Sequence, residues 1–269
     1  MKKKLIILTG PTAVGKTDLS IRLARTVGGE IISADSMQVY RRMDIGTAKI
    51  RPEEMDGVRH HLIDILEPTE SFNAFLFKEY ALKAANEIWE RGSIPIIVGG
   101  TGFYIQTLLY DIEFAKSDEN DGIRDELNKL YEEHGAAFLH DMLAKVDPEY
   151  AAEVHENNVK KVIRAIEFYR QTGHKLSEHN TEQRERTSPY NFEYFVLSDD
   201  RTVLYERIDK RIDGMVEAGL IAEVQALLDE GVDRRSVAMQ GLGYKEIASY
   251  LAGEISLDEA IYILKRDTR

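Results

Sequence analysis

Gly10, Pro11, Thr12, Ala13, Val14, Gly15, Lys16 and Thr17 fit the spacing of a phosphate-binding loop, two glycines with four residues between them followed by lysine and a hydroxyl residue. In such a loop successive backbone N–H groups at a helix start surround phosphate oxygens. Lys16 adds positive charge, and the Thr17 hydroxyl can ligate Mg²⁺. The pattern lies between an apolar run and an amphipathic helix, which is the context it requires. A ligand with at least two linked phosphates is expected here.

A loop of this kind ordinarily works with a carboxylate at the end of a neighbouring strand. The apolar run 94–98 offers none, because it continues into Gly99-Gly100-Thr101. The run 30–34 ends in Asp35, and strand ends in open α/β sheets face the ligand crevice. Asp35 can act as a water-bridged metal ligand, as a general base for an acceptor group, or simply as a cap. Arg207 and Arg211 share a helix face at i and i+4. Either can neutralise diphosphate charge or sit in a surface ion pair. No aspartate-rich metal motif is present, since Asp199-Asp200-Arg201 lacks a further carboxylate nearby. Gly241-Leu242-Gly243-Tyr244-Lys245, after Met239-Gln240, reads equally as helix-start chemistry or as a backbone-binding loop. His60 and His61 are adjacent on an extended segment, so one buried and one exposed histidine is expected rather than a metal pair.

Strands and helices must alternate to hold these residues. Residues 4–9, 30–34 and 94–98 read as buried strands, each followed or preceded by a helical pattern. One stripe runs Phe72, Leu76, Tyr80, Ala84 and Ile88. That alternation predicts an α/β fold, a P-loop NTPase-like parallel sheet flanked by helices. From 117 to about 185 only helical patterns appear, one through Ile123, Leu127 and Leu130, another through Phe138, Met142 and Val146, a third from Val159 to Tyr169. They predict an all-helical insertion domain. A strand over 194–197 returns to the sheet, a long helix covers 201–228, and a helical pair starts near Gly243 and at Ser256, where Ser256-x-x-Glu259 has capping-box form. The domain reading is 1–114 for the first part of the core, 115–190 for the insertion, and 191–269 for the return strand and last helices.

Composition bounds the remaining choices. The 269 residues include no cysteine, which removes disulfides, thiolate nucleophiles and cysteine–zinc sites, and the seven histidines are scattered. The apolar run after Lys2-Lys3-Lys4 stops at Thr9, too short for a signal peptide, so a cytoplasmic location is expected. A net charge of −12 argues against nucleic acid on average. Basic residues nevertheless cluster at 160–164, 183–186 and 201–211, and a local field is what RNA meets.

In combination, several stretches resemble the bacterial tRNA dimethylallyltransferases, also called tRNA isopentenyltransferases. They are the loop at 10–17, Ile32-Ser33-Ala34-Asp35-Ser36, Met43-Asp44-Ile45-Gly46-Thr47-Ala48-Lys49, His61-Leu62-Ile63-Asp64, Val98-Gly99-Gly100-Thr101 and Gly243-Tyr244. The resemblance covers essentially the whole chain, in order. It implies transfer of a dimethylallyl group from dimethylallyl diphosphate to N6 of the adenine 3′ of the anticodon, in tRNAs reading U-initial codons. Asp35 would take the N6 proton, Thr101 would contact the same adenine, and Arg211 would face the diphosphate held by residues 10–17 with Mg²⁺ on Thr17. Asp35, Ser36, Met37, Gln38, Thr101, Arg124, Lys160, Lys161, Val162, Ile163, Arg164, Gln240, Gly241, Leu242, Gly243, Tyr244 and Lys245 match positions that touch tRNA. A monomer is expected.

Two departures stand out. Lys160-Lys161 replaces the family's usual Gln-Arg pair, and the family's basic terminal helix would begin where Asp267-Thr268-Arg269 ends this chain. The competing readings are a P-loop small-molecule or nucleotide kinase, with Asp35 as its acid, and a non-catalytic RNA-binding NTPase switch. Neither explains the matching stretches beyond the loop.

Overall fold

The computed structural model describes residues 2–114 and 122–269. Contacts divide them into two compact units, one made of 1–109 with 189–269, the other of 110–188. The insertion boundary expected at 114/115 falls partly outside the described residues.

The larger unit holds a five-stranded, wholly parallel sheet in the order β3-β2-β4-β1-β5. Its strands are β1 (Lys4–Thr9), β2 (Gly29–Ser33), β3 (His60–His61), β4 (Ile94–Gly99) and β5 (Asn191–Val196). Ile96 is central, paired with Ile6 on one side and Ile31 on the other. Ile7, Ile32, Ile96 and Ile97 are fully buried, the burial on both faces that a helix-covered parallel sheet demands. At the edge, β5 leaves Phe195 and Val196 exposed.

Helix α1 (Lys16–Val27) follows the phosphate loop and ends at left-handed Gly28, while α2 (Ala74–Glu90) starts at Asn73, whose side chain accepts from Leu76 N. The buried face of α2 is Ala74, Phe77, Ala81, Ala84, Ala85 and Ile88. Leu76 and Tyr80, expected in the stripe, are only half-buried, because the buried face runs one position on, through Phe77, Ala81 and Ala85. A short α3 (Gly102–Leu109) leaves the end of β4.

The smaller unit is helical throughout its described residues: α4 (Ile123–Val146), α5 (Pro148–Glu153), α6 (Val159–Thr172) and α7 (Leu176–Glu185). Gly135, with φ 83°, kinks α4, which accounts for the two separate patterns in the sequence. Leu127, Leu139, Leu143, Val162, Ile163 and Ile166 form its core.

Four helices complete the larger unit: α8 (Arg201–Glu217), α9 (Leu220–Asp229), α10 (Tyr244–Leu251) and α11 (Leu257–Thr268). The single long helix expected over 201–228 is therefore two. Gly219, at φ 106°, breaks it and caps α9. Ser256 caps α11 by accepting from Glu259 N, as its spacing predicts. Both histidines of β3 are half-buried, a departure from the expected one in and one out. His61 Nε2 meets Glu30 Oε2 at 2.8 Å, and the same carboxylate accepts two bonds from Arg91, so one β2 acid serves both neighbours. Among the described residues no helix is long and apolar enough to cross a membrane.

Candidate active site

β1 delivers the chain into the phosphate loop, whose backbone uses three left-handed or extended-positive positions: Gly10 (φ 147°), Ala13 (φ 64°) and Gly15 (φ 93°). Gly10 has a second constraint. A Cβ there would stand 2.6 Å from the carbonyl oxygen of Leu197, at the end of β5. Gly15 is the N-cap of α1 and supplies no side-chain cap, so the first-turn amides of a 12-residue helix are open to an anion. Lys16 Nζ donates to Gly10 O at 2.8 Å and to Pro11 O at 2.7 Å, lying across the loop. Burial lowers the Lys16 pKa; Asp35 opposes that shift and Arg211 adds to it.

A cleft of about 770 Å³ opens over this loop. Thr12 to Thr17 line it, as do Asp35, Ser36, Met37, Gln38, Gly100, Thr101, Arg211, Gln240, Gly241, Leu242 and Gly243. The candidate acid, the candidate arginine and the phosphate loop thus share one space, although they come from β2, α8 and the β1–α1 turn.

Asp35 begins a turn. Its Oδ1 accepts from Met37 N at 2.8 Å and from Gln38 N at 3.2 Å. The capping role is therefore real, and it occupies one carboxylate oxygen; Oδ2 makes no hydrogen bond among the described residues. Thr101 N donates to Ala34 O at 3.4 Å, tying the end of β4 to the residue before Asp35. Buried Tyr104, whose pKa rises to about 12 through burial and then through Asp35, lies within the field of that acid.

The two arginines of α8 divide. Both line the cleft, and Arg207 pairs with Asp199 at 2.8 Å. Arg211 makes no ion pair among the described residues and opens onto the cleft; crowding by the cleft walls lowers its pKa, with Asp35 opposing. An unneutralised guanidinium beside an open helix N-terminus is suited to a polyanion.

Other expected contact positions separate by burial. Lys160 and Lys161 are exposed on α6, whereas Val162 and Ile163 point into the core of the helical unit, so their side chains are not an RNA surface. Arg124 and Arg164 both bond Glu167, a carboxylate with only 5% of its side chain exposed, and they neutralise it first. Tyr244 is buried; its hydroxyl donates to Glu223 Oε1 at 2.6 Å, and burial followed by that carboxylate raises its pKa. It too is withdrawn from any RNA surface. Lys245 is half-buried, with Nζ 3.4 Å from Glu246. Leu242 and Gln240 stay exposed at the cleft.

Sequence reasoning missed two residues that shape the cleft wall. Glu223 accepts from Asp44 N, Ile45 N and Gly46 N. Lys49, nearly buried, donates to Tyr40 O, Asp44 Oδ1 and Asp64 Oδ1, each at 2.6 Å. The matching stretch 43–49 held the only signal: Lys49, with Asp44 five residues before it.

The parallel sheet, the uncapped helix after the β1 loop and the acid at the end of β2 suit a group-transfer enzyme. Comparison with known proteins narrows this class. The family model described as IPP transferase matches residues 38–269. A tRNA dimethylallyltransferase of Lachnoclostridium phytofermentans is 59% identical over 265 residues, 98% of this chain and 85% of that protein. One from Carboxydothermus hydrogenoformans is 51% identical over 269 residues, the whole of this chain and 86% of its own length. Among solved structures, the tRNA isopentenylpyrophosphate transferase of Bacillus halodurans matches with TM-score 0.72 at 47% identity, covering 99% of this chain and 83% of that one. A eukaryotic dimethylallyltransferase captured acting on tRNA matches at TM-score 0.87 and 33% identity, over 99% and 67%. The chain belongs to the IPP transferase family of prenyltransferases. These matches do not favour a kinase.

Proposed function

We propose that this chain transfers the dimethylallyl group of dimethylallyl diphosphate to N6 of the adenine 3′ of the anticodon, in tRNAs that read U-initial codons, giving N6-isopentenyladenine and diphosphate. The observation carrying this reading is the single cleft lined by the phosphate loop, Arg211, Asp35 and Thr101. The allylic C1–O bond breaks toward the loop, where helix N–H groups, Lys16 and Arg211 meet the growing charge of the leaving diphosphate. The N6–C1 bond forms on the opposite side. The exocyclic amine is a weak nucleophile, so Asp35 accepts its proton through Oδ2 while Oδ1 stays in the turn. Thr101 holds the same adenine. An adenine must leave its stack to reach such a cleft, which favours a looped RNA.

The donor set suits Mg²⁺. Among the described residues no cluster of three or more His, Cys, Asp or Glu could cage a metal, but Thr17 lines the cleft beside the diphosphate position. One hydroxyl plus phosphate oxygens and water is a set Mg²⁺ commonly takes. When bound there, Mg²⁺ would neutralise leaving-group charge. Lys160 and Lys161 bind anticodon-arm phosphates, and Ser36, Met37, Gln38, Gln240, Gly241 and Leu242 border the acceptor. We place the protein in the cytoplasm as a monomer.

The test is transfer from radiolabelled dimethylallyl diphosphate to an unmodified anticodon stem–loop with Mg²⁺. Label on the adenine next to the anticodon is expected. Label on a different nucleotide, or none while ATP is consumed with a small acceptor, overturns the reading.

A further inference from the structure

Part of the cleft wall is built by Gly46, Thr47 and Ala48, within the loop 43–49, and the form of that loop depends on one distant carboxylate. Glu223, half-buried in the first turn of α9, accepts from three successive amides: Asp44 N at 2.9 Å, Ile45 N at 2.8 Å and Gly46 N at 3.1 Å. Consecutive N–H groups converging in this way form an anion nest, here filled from within the protein. Tyr244 supplies a fourth donor to the same carboxylate at 2.6 Å. The ring of Tyr244 also backs the loop so closely that a Cβ on Gly46 would lie 2.6 Å from it.

The far side of this loop faces the cleft. Gly46, Thr47 and Ala48 line it. Thr47 O accepts from Gln38 Nε2 at 3.2 Å, and Gln38 N in turn donates to Asp35 Oδ1. A continuous path of hydrogen bonds therefore runs from Glu223 through the loop and Gln38 to the candidate base. The phosphate loop is anchored separately, by Lys16 and by β1 and β5.

We propose that Glu223, completed by Tyr244, is a positioning residue for the acceptor half of the cleft: it sets the loop that holds Gln38 and Asp35 against the incoming adenine and has no part in holding diphosphate. This rests on the prenyl-transfer reading. Glutamine at 223 keeps the size but turns an acceptor oxygen into a donor facing N–H groups, so part of the nest is lost and the loop shifts.

The experiment compares Glu223→Gln and Tyr244→Phe with the unaltered chain. Steady-state transfer to an unmodified stem–loop is measured beside calorimetric binding of inorganic diphosphate with Mg²⁺. Losing one or two charge-assisted hydrogen bonds should lower kcat/KM for the stem–loop roughly 10- to 100-fold in Glu223→Gln and roughly 3- to 10-fold in Tyr244→Phe. Diphosphate affinity should change less than about threefold, because the phosphate loop keeps its own anchors. Unchanged stem–loop kinetics, or an equal loss of diphosphate binding, overturns the proposal. Should Glu223→Gln fail to fold, the milder Tyr244→Phe decides on the same criteria. If the unaltered chain transfers nothing, the prenyl-transfer reading fails instead, and stem–loop binding by the two variants still judges the clamp.

Discussion

Asp35→Asn separates the two jobs of this side chain. Asparagine retains an oxygen that can accept from Met37 N and Gln38 N, the bonds Asp35 Oδ1 makes at 2.8 and 3.2 Å. Asp and Asn are about equal as caps, so the turn should persist at little cost, whereas Asp35→Ala would forfeit about 1 kcal/mol. What asparagine cannot do is take a proton from N6. Loss of a positioned general base costs about 10²–10⁴ in rate, or about 3–5 kcal/mol of barrier. Charge works in the other direction at the leaving group: Asp35 stabilises the charged forms of Lys16 and Arg211, so removing it leaves both cations facing the diphosphate unopposed. Single-turnover transfer should therefore fall by at least about a hundredfold, while calorimetric affinity for Mg²⁺-diphosphate holds or tightens. Transfer within about threefold of the unaltered chain would reduce Asp35 to a cap, since a lost base costs far more. Parallel loss of diphosphate binding would make it a metal-holding group.

Arg211→Ala should lower kcat by about 10²–10³, the usual cost of removing one preorganised charge at a leaving group, whereas Arg207→Ala, already paired with Asp199, should stay within a few-fold; equal effects in the two kinetic series would refute the division. Lys160→Ala and Lys161→Ala should each lower the slope of log affinity against log salt for tRNA by about one, read by filter binding; an unchanged slope removes them from the RNA surface. Glu30, held below the usual carboxylate pKa first by its hydrogen bonds to Arg91 and then by His61, contributes stability above its unfolded pKa that is lost as pH falls through its lower folded value. Glu30→Gln should thus cost about 1.5–3 kcal/mol at pH 7 by urea unfolding, with the gap to the unaltered chain closing as the acid is protonated below pH 4.5; a gap independent of pH would refute the linkage.

Much of the sheet was legible because its strands are short apolar runs ended by glycine or aspartate. β1 matches its sequence reading residue for residue, and β2 and β4 differ by a single residue at one end or both. The helices were harder where glycine intervenes. The apolar period continues across Gly219, and periodicity does not register that this residue adopts positive φ and changes the axis, whereas at Gly135 the two separate patterns do mark the kink. For α2 the error lay in weighting large residues; four alanines share its buried face with Phe77 and Ile88. The phosphate loop, Asp35, Thr101 and Arg211 do gather on one cleft, since loop spacing and strand-end position are local properties. Glu223 was invisible because three of its partners are backbone amides on a loop nearly 180 residues away, and Lys49 because its backbone partner, Tyr40 O, and its carboxylates, Asp44 and Asp64, meet only once the loop has folded.

The end of β4 explains why the acid of this site stands on β2. A Cβ on Gly99 would lie 2.2 Å from the carbonyl oxygen of Ala34, so no carboxylate can occupy that position while β2 and β4 keep their pairing. The approach that excludes a side chain at Gly99 also brings Thr101 N to Ala34 O and so fixes where Asp35 leaves the strand. A carboxylate on β4 would point at the phosphates and their metal, the arrangement of a phosphoryl-transfer enzyme. With glycine there, the acid comes from one strand further out, at the end of β2, and still lines the cleft that the loop after β1 lines. On the prenyl-transfer reading proposed above, the loop that meets the leaving diphosphate and the acid that takes the amine's proton then belong to different strands, β1 and β2. That separation follows from one residue too small to carry a charge.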